Sequence, residues 1–119
     1  MKKSSIVLGV IVIIVLVILL FYNPFKSKTS EAGQYDVFAQ CLTDAGVKMY
    51  GTEWCSHCQN QKKLFGKSFE FIDYIDCDKN QETCLIEGIQ GYPTWKLNKE
   101  SYTGEQSLEA LAQITGCKL

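Results

Sequence analysis

From Ile6 to Phe21 the chain carries no charge and no polar side chain; only Gly9 interrupts a run of Ile, Val, Leu and Phe. With Ser4, Ser5 and Tyr22 at its ends, the run reaches the ~17–25 residues that a membrane-spanning helix needs. Its β-branched bias matters little in lipid, where a helix satisfies every backbone group from within. A secretory signal peptide has a shorter apolar core of roughly 7–15 residues, with small residues soon after. Here Ser30 and Ala32 lie well beyond the run. The pattern therefore predicts an anchor over residues 1–22, with 6–22 in the membrane. Lys2 and Lys3 face Lys26 and Lys28 across it, a weak lean toward an inside N-terminus.

Residues 23–33 are polar, with Pro24, Gly33 and several Ser, Thr and Lys, and read as a linker. The remainder, 34–119, alternates helical and strand periods. Val37, Phe38, Cys41, Leu42 and Ala45 form a helical stripe that Gly46 ends. Val47–Tyr50 is a short strand. A helix opens at Cys55–Cys58 and runs to Phe65, before Gly66. Glu70–Ile75, aromatic and β-branched, predicts a second strand. A turn at 78–80 leads to a short helix through Thr83 to Glu87. Thr94–Leu97 and Ser101–Thr103 predict a hairpin. Ser107 caps a last helix whose inner face is Leu108, Leu111, Ala112 and Thr115. Strands joined by a helix favour a parallel crossover. The expected fold is α/β, a mixed sheet of about four strands flanked by helices.

Composition narrows the chemistry. The formal net charge is −1, so nothing suggests a nucleic-acid partner. His57 is the only histidine, whereas six cysteines are many for so small a domain. Cysteine wealth points to an oxidising compartment, a metal or redox work. It places the domain outside the cytosol, since disulfides persist there.

The chemistry concentrates in Trp54-Cys55-Ser56-His57-Cys58. Two cysteines three apart at a helix start meet unpaired N–H groups and the positive end of the helix dipole. Both favour a thiolate. Cys55 is expected as the exposed attacking sulfur and Cys58, one turn inward, as the resolving one. His57 is expected to stabilise the Cys55 thiolate, and Trp54 to cover the strand–helix junction. A structural zinc site would have to recruit Cys77, Cys84 or His57; two clean C-x-x-C pairs are missing, so no metal is expected. About 35 residues on, Gly91-Tyr92-Pro93-Thr94 precedes a strand. A cis Tyr92–Pro93 bond there would bring backbone beside the dithiol and let Tyr92 pair with an extended substrate.

On these residues, together with Met49-Tyr50-Gly51, Tyr74-Ile75-Asp76-Cys77 and Tyr102-Thr103-Gly104, the segment from about Phe38 to Cys117 resembles the thioredoxin superfamily. It resembles in particular the thioredoxin-like domain associated with bacterial vitamin K epoxide reductase homologues. The resemblance implies a thioredoxin-like fold, a cis Pro93, and a Cys55/Cys58 pair that takes oxidising equivalents from a quinone-coupled membrane partner on a separate chain. The pair then passes them to extracytoplasmic proteins. The setting it implies is a prokaryotic cytoplasmic membrane, with a single-pass, monomeric protein that needs no cofactor. Ser56 stands where the family often has proline, and Met49 where many members bury an aspartate. The resemblance supports a Cys77–Cys84 disulfide. Cys41 and Cys117, near the ends of the domain, would staple the first helix to the last. Other pairings of the six cysteines stay open. Two other functions fit the same residues: a membrane-tethered reductase of the cytochrome-maturation type, and a non-catalytic module that binds peptides at Tyr92–Pro93.

Overall fold

The computed structural model describes residues 2–21 and 31–119, which form two separate units divided between Ser30 and Glu31. Tyr22, Lys26, Lys28 and residues 23–30 of the expected linker lie outside the described residues. The first unit is one helix, α1 (Lys2–Phe21), with no buried residue. Its 20 residues span about 30 Å at 1.5 Å per residue, the thickness of a bilayer's hydrocarbon core. It is long and apolar enough to cross a membrane, a property it shares with signal sequences.

The second unit holds a four-stranded sheet in the order β2-β1-β3-β4. It consists of α2 (Asp36–Asp44), β1 (Lys48–Gly51), α3 (Ser56–Phe65), β2 (Tyr74–Asp76), α4 (Gln81–Ile86), β3 (Thr94–Leu97), β4 (Glu100–Thr103) and α5 (Leu108–Thr115). β1 runs parallel to β2, and antiparallel to β3 with Met49 opposite Trp95. β3 and β4 form the hairpin. Side chains alternate across β1. Met49 joins the larger core with Phe38, Leu42, Phe65, Trp95, Leu108 and Leu111, so α2, α3 and α5 share that face. Tyr50 points to the other, where Cys77 and Cys84 bring α4.

Two local expectations are corrected. Val37 and Ala45 are exposed, and Ala39 lies inside beside Phe38 and Leu42. The stretch expected as strand Glu70–Ile75 begins instead as a 3-10 helix, Gly66–Phe71, and becomes β2 only at Tyr74. The Thr43 hydroxyl explains the break. It donates to the Phe71 carbonyl at 2.7 Å and accepts from the Asp73 N–H at 3.1 Å, taking backbone groups a longer strand would offer its neighbour. Disulfides join Cys41 to Cys117 and Cys77 to Cys84. The unit opens at Gly33, whose N–H donates to Asp36 at 2.8 Å; a Cβ there would lie 2.3 Å from the Ser68 hydroxyl oxygen.

Candidate active site

The end of β1 delivers the chain into the Cys55–Cys58 turn. Gly51 is the last strand residue, on the Met49 face, directly over Cys58. A Cβ at Gly51 would sit 2.8 Å from the Cys58 sulfur and 3.3 Å from the Tyr74 ring, so only glycine allows this approach. Cys55 is the N-cap of α3. Its backbone is extended, and its sulfur accepts the Cys58 N–H at 3.1 Å. A negative sulfur there is met by an N–H that α3 leaves unpaired.

Cys58 is fully buried at 0% exposure, whereas Cys55 is 7% exposed. The outer and inner order of the two sulfurs is as the motif suggests, but Cys55 is a nearly covered sulfur rather than an openly exposed one. Both are free thiols. Burial above all, then hydrogen bonding to Cys55, push the Cys58 thiol up to about 12; the Thr52 main chain and Lys62 pull the other way.

The flanking residues depart from expectation. Trp54 stands out from the surface. Its indole N–H donates to Asp78 at 2.8 Å, and its ring meets Tyr92 edge-on at 6.1 Å. It thus links the dithiol turn to the Tyr92–Pro93 loop instead of covering the junction. His57 does not serve the Cys55 sulfur: its side chain is 71% exposed and its Nδ1 lies 2.7 Å from Glu105. The first turn of α3 sends this position sideways, toward the loop before α5. The hydrogen bond with His57 holds the Glu105 carboxyl below the usual carboxylate range.

The Tyr92–Pro93 peptide bond is cis. Pro93 is fully buried, its carbonyl accepting the Gly104 N–H at 2.7 Å, and the Thr94 hydroxyl donates to the Gly91 carbonyl at 2.8 Å. Among the described residues no main-chain hydrogen bond engages Tyr92. An extended peptide can therefore meet free backbone groups next to cis Pro93.

One residue to which the sequence reading gave no role organises this end of the domain. Gln61 is fully buried on the inner face of α3, between Cys58 and Phe65. Its amide N–H donates to the Gln106 carbonyl at 2.9 Å. Its oxygen accepts the Trp95 indole N–H at 3.1 Å and the Gln106 N–H at 2.7 Å. It ties α3 to β3 and to the loop carrying Glu105. The only signal was a polar side chain within an otherwise inward stripe. Among the described residues no group of His, Cys, Asp and Glu is arranged to hold a metal.

The thioredoxin family model matches residues 28–115. The chain is 36% identical over 101 residues to the thiol-disulfide oxidoreductase LTO1 of Arabidopsis thaliana, covering 76% of this chain and 27% of the relative. It is 36% identical over 75 residues to protein disulfide isomerase-like 2-2 of Oryza sativa, covering 51% of this chain and 20% of that protein. The chain thus spans about a quarter or less of these relatives' lengths. Among solved structures it is similar to a poplar thioredoxin h, with 18% identity and a TM-score of 0.47 over 66% of this chain and 86% of the other. With the family match running from before α2 to the end of α5, the chain belongs to the thioredoxin family.

Proposed function

We propose that this protein is a membrane-anchored thiol–disulfide oxidoreductase that works through Cys55 and Cys58. One observation carries the reading: the Cys55 sulfur caps α3, accepting the Cys58 N–H at 3.1 Å, so two free thiols meet at a helix N-terminus. A thiolate at Cys55 attacks one sulfur of a substrate disulfide and expels the other as a thiolate; Cys58 then attacks the Cys55 sulfur of the mixed disulfide, closing the Cys55–Cys58 bond and releasing the second substrate thiolate. Run in reverse, the same steps donate a disulfide. Tyr92, with its main chain free beside cis Pro93, aligns the substrate as an added strand. The names of the relatives, an oxidoreductase and an isomerase of disulfides, support the chemistry.

The direction we infer is donation to extracytoplasmic proteins. The two structural disulfides, at home in an oxidising compartment, support it. A vitamin K epoxide reductase-like partner rests on the sequence resemblance alone, as does a prokaryotic membrane. α1 supplies the tether.

The test is trapping. A Cys58→Ala variant should accumulate mixed disulfides with client proteins through Cys55, and a Cys55→Ser variant should not. A Cys58→Ala chain that captures nothing in cells removes the exchange reaction. The reduction potential then sets direction: a value near about −120 mV supports the donor, and one near about −270 mV makes the protein a reductase.

A further inference from the structure

A thiol as deeply buried as Cys58 must become a thiolate for the exchange to run. Thioredoxin-like chains often bury a carboxylate nearby, but the corresponding residue here is Met49, on the strand behind. Cys55, Lys62 and Tyr74 bear on Cys58, and the charged groups around Lys62 and Tyr74 come from several elements. Cys55 and Lys62 belong to α3, Glu53 to the loop before it, Tyr74 and Asp76 to β2, and Lys79 to the turn after β2. Asp76 is already engaged, accepting the Asp78 N–H at 3.0 Å and pairing with Lys79 at 3.4 Å.

Lys62 is the unusual member. It lies four residues after Cys58 on the same helix, so the two share one face. Its side chain is only 19% exposed. The ammonium is fixed from two sides: it donates to Glu53 at 2.8 Å and sits 4.1 Å from the centre of the Tyr74 ring. Gly51 leaves the gap through which that same ring approaches the Cys58 sulfur. A lysine on a solvated helix face would snorkel outward; this one is folded back between Glu53 and the Tyr74 ring.

We propose that Lys62, pinned by Glu53 against the ring of Tyr74, is the positioning residue that holds charge at the Cys58 sulfur during exchange. The proposal rests on the exchange reaction at Cys55 and Cys58. In the resolving step Cys58 gives its proton to solvent, and its electron pair forms the Cys55–Cys58 bond. The bond between Cys55 and the substrate sulfur breaks, and that sulfur leaves as a thiolate and is protonated. The enzyme dithiol is oxidised and the substrate disulfide reduced. In the donating direction a substrate thiolate attacks Cys55, and Cys58 is the leaving group. The same thiolate is stabilised by Lys62 both ways.

The experiment uses the full chain in detergent with Cys55 held in a mixed disulfide with the chromophore thionitrobenzoate. Release of the coloured thiolate is followed against pH, beside the rate at which Cys55 is alkylated in the free dithiol. Lys62→Met and Lys62→Gln should each move the pH of half-maximal release upward and slow release at neutral pH about tenfold, as for loss of one nearby charge. Lys62→Arg should restore the profile, and Cys55 alkylation should not move. Release profiles unchanged in both neutral variants, or an equal shift in Cys55 alkylation, overturn the role of Lys62. A wild-type chain that never releases the chromophore overturns the exchange reaction itself, a separate failure.

Discussion

At the residue scale, the two thiols divide their work by environment. Cys55 takes an N–H at the mouth of α3, while Cys58 lies beneath it without solvent. The ordinary value of such a thiol is 9.0, and in the fold it stands at about 12. Between these values the folded dithiol keeps a proton that the unfolded chain has lost. The contribution of Cys58 to stability is therefore complete below pH 9 and is lost as pH rises toward 12. The form with Cys55 and Cys58 joined has no such titration. Its unfolding temperature should gain on that of the dithiol form as pH climbs past 9; parallel pH dependences of the two forms would contradict this. Gln61 supports a second prediction at this scale. Gln61→Leu keeps the bulk but leaves the Trp95 indole N–H and the Gln106 N–H without their acceptor. The expected loss is about 2–4 kcal/mol in urea unfolding, with slower exchange because the Glu105 loop loosens.

At the element scale, the disulfides rank by the loops they close. Cys41 and Cys117 are 76 residues apart, and Cys77 and Cys84 are 7 apart. Chain entropy assigns about 4–5 kcal/mol to the first and roughly 2–3 to the second. Replacing Cys41 and Cys117 together by alanine should therefore cost more in denaturant unfolding than replacing Cys77 and Cys84; the reverse order would show that native contacts, not loop length, dominate. The elements themselves were mostly legible beforehand. Gly46 and Gly66 mark where α2 and α3 stop, and the Cys55–Cys58 turn falls between a strand and a helix because apolar spacing changes there from two to three or four. The 3-10 segment was not legible. Glu70 and Phe71 have strand-like neighbours, and what decides their conformation is the Thr43 hydroxyl from α2. His57 misled for the same kind of reason, since Glu105, which claims it, lies 48 residues away. Local pattern reports period and turn chemistry; it does not report which distant acceptor wins a side chain.

At the scale of the whole molecule, the chain is an apolar helix and a self-contained folding unit. Residues 31–119 carry the complete larger core and both disulfides. Expressed alone, they should be soluble, folded and able to exchange with small disulfides at the rate of the full chain. The full chain should sediment with membranes and resist extraction by alkaline carbonate. Release of the full chain by that treatment would reassign α1 from anchor to cleavable leader.

The pairing of Cys77 with Cys84 also reaches toward the dithiol end of the domain. That bond lies in the small cluster against which Tyr92 packs, so it braces the residue that leads into cis Pro93. Where reducing thiols open that bond, the packing around Tyr92 loses its covalent brace. One pair of sulfurs thus helps set the surface on which the other pair stands.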